Sequence, residues 1–154
     1  VHRHLQRLHR IWLDHPIYFV TTCTFRRRHI LASPNVASIF LIDEWRGARS
    51  RHGWAIGRYV IMPDHVHFFC SGELDAKPLP RFMQFWKQWT SKRIGPELKI
   101  VEHVWQAEFF DHVLRSEESY SQKWDYVREN PTRAALVTAA DDWPWQGEIE
   151  SLML

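Results

Sequence analysis

Apolar and polar positions alternate with period two in several stretches of this chain, and between them the period lengthens to that of a helix. Ile17 to Phe25 is β-branched and aromatic and predicts a first strand. Ser33 then offers a helix cap with Pro34 at the first helical position, and Val36, Ile39, Phe40 and Asp43 to Arg46 carry the pattern to about Ser50, where Gly53 ends it. Trp54 to Met62 predicts a second strand, Pro63-Asp64 a turn, and His65 to Cys70 a third strand, together a hairpin. Leu79 to Ile94 carries Phe82, Phe85, Trp86 and Trp89 at i, i+3, i+4 and i+7, with Gly95-Pro96 as its stop. That aromatic stripe has the spacing of a buried face rather than of a base-stacking platform. Val104 to Leu114 predicts a fourth strand. The order β-α-β-β-α-β is that of an α+β, ferredoxin-like domain: an antiparallel sheet with helices on one face.

A third helix follows, capped by Ser116 with Glu117 and Glu118 in its first turn. Tyr120, Trp124 and Val127 form its buried stripe, and Tyr126 falls at the edge of that face. Asn130 lies four residues on, one turn further along the same side, and it also precedes Pro131, where it can cap a following turn. The chain is expected to form one domain over 1–154, with 1–15 as an N-terminal extension and 138–154 as a C-terminal tail.

Within the hairpin, Met62-Pro63-Asp64-His65-Val66-His67-Phe68-Phe69 sets two imidazoles one residue apart. Strand alternation turns His65 and His67 to one face and Val66 and Phe68 to the other, a geometry suited to chelating one metal ion. A second pair, His2 and His4, has no apolar strand around it and is read as terminal.

Charge adds a partner to this picture. The net charge is only +2, but the cations are fifteen Arg against five Lys, and arginine binds phosphate through a planar fork and stacks on bases. Arg26, Arg27 and Arg28 close the first strand, and Arg3, Arg7 and Arg10 punctuate the start. Nucleic acid held in a groove is the expected partner. Aromatic residues make up 14% and apolar residues 45%, which excludes disorder for most of the chain. Cys23 and Cys70 lack the spacing of a structural zinc site and read as buried thiols. With no long apolar run and no secretory apolar centre, the expectation is a soluble, cytoplasmic protein without membrane contact.

The run Tyr59 to His67, with Trp105-Gln106 and with Asp125-Tyr126-Val127-Arg128-Glu129-Asn130-Pro131, resembles the single-tyrosine (HUH) transposases of insertion sequences, and among them the REP-associated tyrosine transposases. The likeness spans roughly 17 to 146 and includes Phe109 to Arg115 and Asp142-Trp143-Pro144-Trp145. It implies an endonuclease and strand transferase that cuts and rejoins single-stranded DNA at palindromic repeat hairpins through a 5′-phosphotyrosine intermediate. His65 and His67 match the metal-binding pair, Tyr126 the nucleophile, and Asn130 the position of a third ligand. Mg²⁺ or Mn²⁺ is the implied cofactor, and zinc only if His112 or Asp111 completes a tighter site. Arg26, Arg27 and Arg28 are the expected grip on DNA phosphates. Tyr120 is the rival nucleophile, but Trp124 stands four residues after it and cannot bind metal. The resemblance leaves a monomer and a homodimer both open, since insertion-sequence relatives can assemble their sites across two subunits. Two other functions stay open: a catalytically silent hairpin-binding module of the same fold, and a metal-dependent phosphoesterase acting through water.

Overall fold

A computed structural model describes residues 16–152 and forms a five-stranded antiparallel sheet in the order β4-β1-β3-β2-β5. The strands are β1 (Ile17–Cys23), β2 (Trp54–Ile61), β3 (His65–Gly72), β4 (Phe110–Leu114) and β5 (Gln146–Glu148). His2, His4 and the first three arginines lie outside the described residues.

Between β1 and β2 the chain is helical over 34–52, here called α1. Pro34–Ile42 has the wider π winding, and short α-helical pieces Asp43–Arg46 and Ala48–His52 follow. Ser33 caps it as its chemistry predicts, its Oγ accepting from the Val36 N–H at 3.3 Å, and Gly53 ends it with a left-handed φ of 77°. The second helix, α2 (Leu79–Leu98), passes through Gly95-Pro96 instead of stopping there. Pro96 lies in the last turn, and the reversal waits until Lys99, whose φ is 56° and whose N–H returns to the carbonyls of Gly95 and Pro96. The third and fourth helices are α3 (Glu117–Val127) and the single turn α4 (Asn130–Arg133).

Strand alternation divides the core in two. Val20, Val66, Phe68 and Cys70 face α1 and α2, where Trp45 stacks on Trp86 with centroids 5.8 Å apart. Ile17, Phe19, Phe69 and Leu114 face the other way, onto Tyr120 and Val127 of α3. A bulge between Ile56 and Tyr59 changes the parity of β2, so both of those side chains join the first core while Val60 joins the second. The ferredoxin-like helices thus share one face, and α3 covers the opposite one.

Two predicted elements are shorter than their patterns. Of the fourth strand, Phe110–Leu114 forms a ladder with β1, and upstream a single antiparallel bridge remains between Thr24 and Trp105, with the Gln106 N–H on the Cys23 carbonyl at 2.9 Å. Upstream, Trp105 turns into the first core, where its indole N–H reaches Thr90 Oγ1 at 2.9 Å, and Lys87 Nζ binds the carbonyls of Gln106, Ala107 and Glu108. Lys87 thus holds 106–108 as a loop between the bridge and the ladder. The aromatic stripe of α2 is only partly core: Phe82 and Trp86 are buried, Phe85 lies at the edge against His52, and Trp89 is exposed. Beyond residue 138, Trp143 is buried with its indole N–H on the Ile61 carbonyl, and β5 pairs with the edge of β2.

Candidate active site

The site is built on β3. His65 and His67 project from the α3 face with ring centroids 4.7 Å apart, as strand alternation requires. Register then supplies each ring with an anchor. Thr21 lies opposite His67 on β1, and Thr21 Oγ1 is 2.8 Å from His67 Nδ1. Asp64, in the turn before β3, holds His65 Nδ1 at 2.7 Å and is itself held by Arg27 Nε at 2.8 Å. An ionised carboxylate only accepts, so His65 carries its proton on Nδ1. With both Nδ1 atoms engaged, the Nε2 atoms remain as the donors this pair can offer a metal, each backed by an outer partner that fixes the ring.

Burial governs the protonation of the pair. It pushes His67 down to about 3, with the positive charges of His65, Lys123 and Arg133 adding to the effect. His65 is also lowered by burial, partly opposed by Asp64. Burial works against the Asp64 carboxylate, but bonds from His65 and Arg27 outweigh it and hold the group below the usual range. Neutral imidazoles are what metal ligation needs.

Tyr126 stands on the same side of the sheet. Ser116 caps α3, accepting from the Ser119 N–H at 3.0 Å, and Tyr120, Trp124 and Val127 pack on the sheet, leaving Tyr126 62% exposed at the edge. Lys123, one turn earlier, has its ammonium 4.8 Å from the Phe19 ring centroid and 5.9 Å from that of Tyr126. Phe19 in turn stacks on His67 at 5.3 Å. The order Tyr126, Lys123, Phe19, His67 therefore forms one continuous set of contacts. Tyr120, the rival nucleophile, is buried, and its oxygen accepts the Arg58 N–H at 3.2 Å.

Asn130 is not on the helix of Tyr126. α3 ends at Val127, and Asn130 opens the separate turn α4, with Arg128 and Glu129 between them still helical in φ and ψ. The interruption falls at Arg128 and Glu129, and Pro131 sits in the first turn of α4, where its missing N–H costs nothing. The Asn130 amide oxygen bonds Arg133, whose guanidinium also donates to the Tyr126 carbonyl at 2.7 Å and lies 4.1 Å from the Tyr126 ring centroid. His112 shares the face of His67 but stands opposite Phe19, one pair further along, and Asp111 points to the other face. Among the described residues, no three His, Cys, Asp or Glu side chains converge as a metal site. Two imidazoles with at most an amide fit a hard divalent cation that keeps open positions, and do not make a closed zinc site.

The three consecutive arginines form a tight turn in which Arg26 and Arg27 both take left-handed φ values, 58° and 54°. Thr24 knits it to the site: its N–H donates to the Asp64 carbonyl at 2.9 Å and its hydroxyl to the Arg28 carbonyl at 2.9 Å. Arg27 pairs with Asp64 and Arg28 with Glu102, while Arg26 lies over the Phe25 ring.

The family model of IS200-like transposases matches residues 14–130, a span from just before β1 to the start of α4. The chain belongs to this family. Among curated relatives of this IS200-like transposase, the REP-associated tyrosine transposase of Escherichia coli K12 is 29% identical over 91 residues, covering 58% of this chain and 52% of the relative. An uncharacterised Haemophilus influenzae protein is 27% identical over 96 residues, covering 49% and 53%. The chain thus spans about half the length of the curated relatives it matches. A solved REP-associated tyrosine transposase bound to a REP hairpin superposes with a TM-score of 0.70 at 22% identity, covering 85% of this chain and 75% of that one, which establishes the shared fold. Among the described residues no helix is long and apolar enough to cross a membrane.

Sequence reasoning singled out the histidine pair, Tyr126 and Asn130; the structure adds Thr21, Lys123 and Arg133 as their neighbours, and makes Asp64, expected only as a turn residue, the partner of His65. Asp64 adjoins His65 in the chain and could have been read as its anchor. Thr21 could not, because it meets His67 only through strand register.

Proposed function

We propose that this IS200-like transposase cleaves and rejoins single-stranded DNA at hairpins of palindromic repeats, with Tyr126 as nucleophile. The observation that carries the reading is the unbroken contact from Tyr126 through Lys123 and Phe19 to His67, on the face where both Nε2 atoms remain to be used. The phenol oxygen attacks phosphorus, the bond to the 3′ oxygen breaks, and that oxygen leaves with a proton as a 3′ hydroxyl. DNA is then joined to the protein through a 5′-phosphotyrosine. The link conserves the energy of the phosphodiester, so another 3′ hydroxyl reverses the step without ATP.

A free tyrosine is phenolate in only about one molecule per thousand at pH 7, so the reaction needs charge stabilisation. His65 and His67 would hold Mg²⁺ or Mn²⁺, with Asn130 as third donor once its amide leaves Arg133. When bound, the cation stabilises charge on the phosphate oxygens. Thr21 and Asp64 keep the two rings oriented. Arg26, Arg27 and Arg28 would grip the hairpin stem through its phosphates, Arg26 most freely because the other two already face carboxylates.

The test is incubation with a labelled single-stranded hairpin and Mn²⁺, followed by denaturing electrophoresis. The native chain should carry label and Tyr126→Phe should carry none. Label on neither, with hairpin binding intact in both, would make the chain a silent binding module. Cleavage persisting in Tyr126→Phe would make it a hydrolase that works through water.

A further inference from the structure

We propose that Lys123 and Arg133 form the seat for the charged oxygens of the phosphodiester that Tyr126 attacks. This rests on the reading of Tyr126 as nucleophile and adds a binding subsite to it. Both cations lie against the same ring: Arg133 Cζ is 4.1 Å and Lys123 Nζ 5.9 Å from the Tyr126 centroid. They arrive there from different elements. Lys123 precedes Tyr126 by one turn of α3, whereas Arg133 is carried back by the break at 128–130 that begins α4.

Their partners separate these two from most cations around the site, Arg26 over the Phe25 ring being the exception. Arg27, Arg28, Arg58 and Arg128 each face a carboxylate. Among the described residues neither Lys123 nor Arg133 has one. Arg133 gives one nitrogen, Nη2, to two neutral oxygens, those of Tyr126 and Asn130, which leaves the rest of its donor fork open. The Lys123 ammonium lies against the rings of Phe19 and Tyr126. Two uncompensated positive charges beside an exposed phenol and an imidazole pair call for an anion, and a guanidinium with free donors matches a phosphodiester bidentately. A carboxylate ligand would meet the same charges, but the exposed flat rings of Tyr126 and Phe110 flanking this face suit the bases of a single strand.

The experiment measures binding, in the Tyr126→Phe background without metal, of an inverted-repeat hairpin with a single-stranded flank. Each flank phosphate is replaced in turn by an uncharged methylphosphonate. At one position the replacement should weaken binding about tenfold, the size of one charge-assisted contact. Adding Lys123→Met or Arg133→Met should reduce that penalty below about twofold and lower the salt slope by about one, while Lys123→Arg keeps the penalty. A hairpin lacking the flank should bind all variants alike. The proposal is overturned if no position shows a penalty, or if the penalty is as large in both Met variants. Adduct formation by the unvaried chain is scored separately: its absence would remove Tyr126 as nucleophile, while a penalty that disappears in the Met variants would still identify the phosphate seat.

Discussion

His67 shows how one side chain meets two demands. Strand alternation turns it toward the site, while Phe19 stacks on its ring and leaves it half-buried. Burial then makes the imidazolium costly, and the ring stays neutral down to about pH 3. In the unfolded chain the same ring takes a proton near pH 6.5, so between these values the unfolded state binds more protons than the folded one. Stability contributed by the neutral ring is therefore intact above pH 6.5 and falls by up to about 1.4 kcal/mol per unit as pH drops toward 3. Urea unfolding at stepped pH should show this slope, and His67→Phe should flatten it. An equal slope in the variant would assign the acid loss to other groups, Asp64 first among them. The His-x-His pair was legible because period two needs only local sequence. Its anchor Thr21 was not, being 46 residues away and brought in by pairing of β1 with β3.

At the scale of elements, what matters is how α3 rests on the sheet. Tyr120 packs on Phe69 with centroids 4.7 Å apart, and Arg58 lies between the rings of Tyr120 and Trp124. The approach is close at Gly57, beside the β2 bulge, where an added Cβ would come within 2.7 Å of Tyr120 Oη and 2.6 Å of Leu152 Cδ1. Gly57→Ala is expected to lower stability by about 1–3 kcal/mol, as overpacking does. Because α3 carries Tyr126, the same variant should also slow adduct formation at saturating hairpin; wild-type rates would show that the seat of α3 does not govern the nucleophile. Helix starts were readable at Ser33 and Ser116, whose capping is local chemistry. The lengths of α2 and β4 were not, because the second depends on Trp105 finding Thr90 and on Lys87 collecting three carbonyls.

Across the whole molecule, one sheet serves two cores of different purpose. The face under α1 and α2 holds Trp45, Trp86, Phe68 and Trp105 and supplies most of the apolar burial; the other holds the smaller core, interrupted by the site. The arginine turn is tied to the site as well as to solvent, since Thr24 and Arg27 bind it to the Asp64 turn that orients His65. Alanine at Arg26, Arg27 and Arg28 together is expected to weaken hairpin binding and to flatten its salt dependence by about one for each phosphate left unneutralised. A salt slope unchanged in that variant would take the turn out of the DNA interface. By itself the sequence determined the α+β element order, the shared direction of His65 and His67 and the edge position of Tyr126, because each follows from periodicity within a few residues. Only the tertiary structure decided that α3 covers the face opposite α1 and α2, that Asn130 binds Arg133, and that Lys123 and Arg133 flank the phenol. Those outcomes depend on strand register, a bulge and a helix break, which bring together groups whose separation along the chain carries no periodic trace.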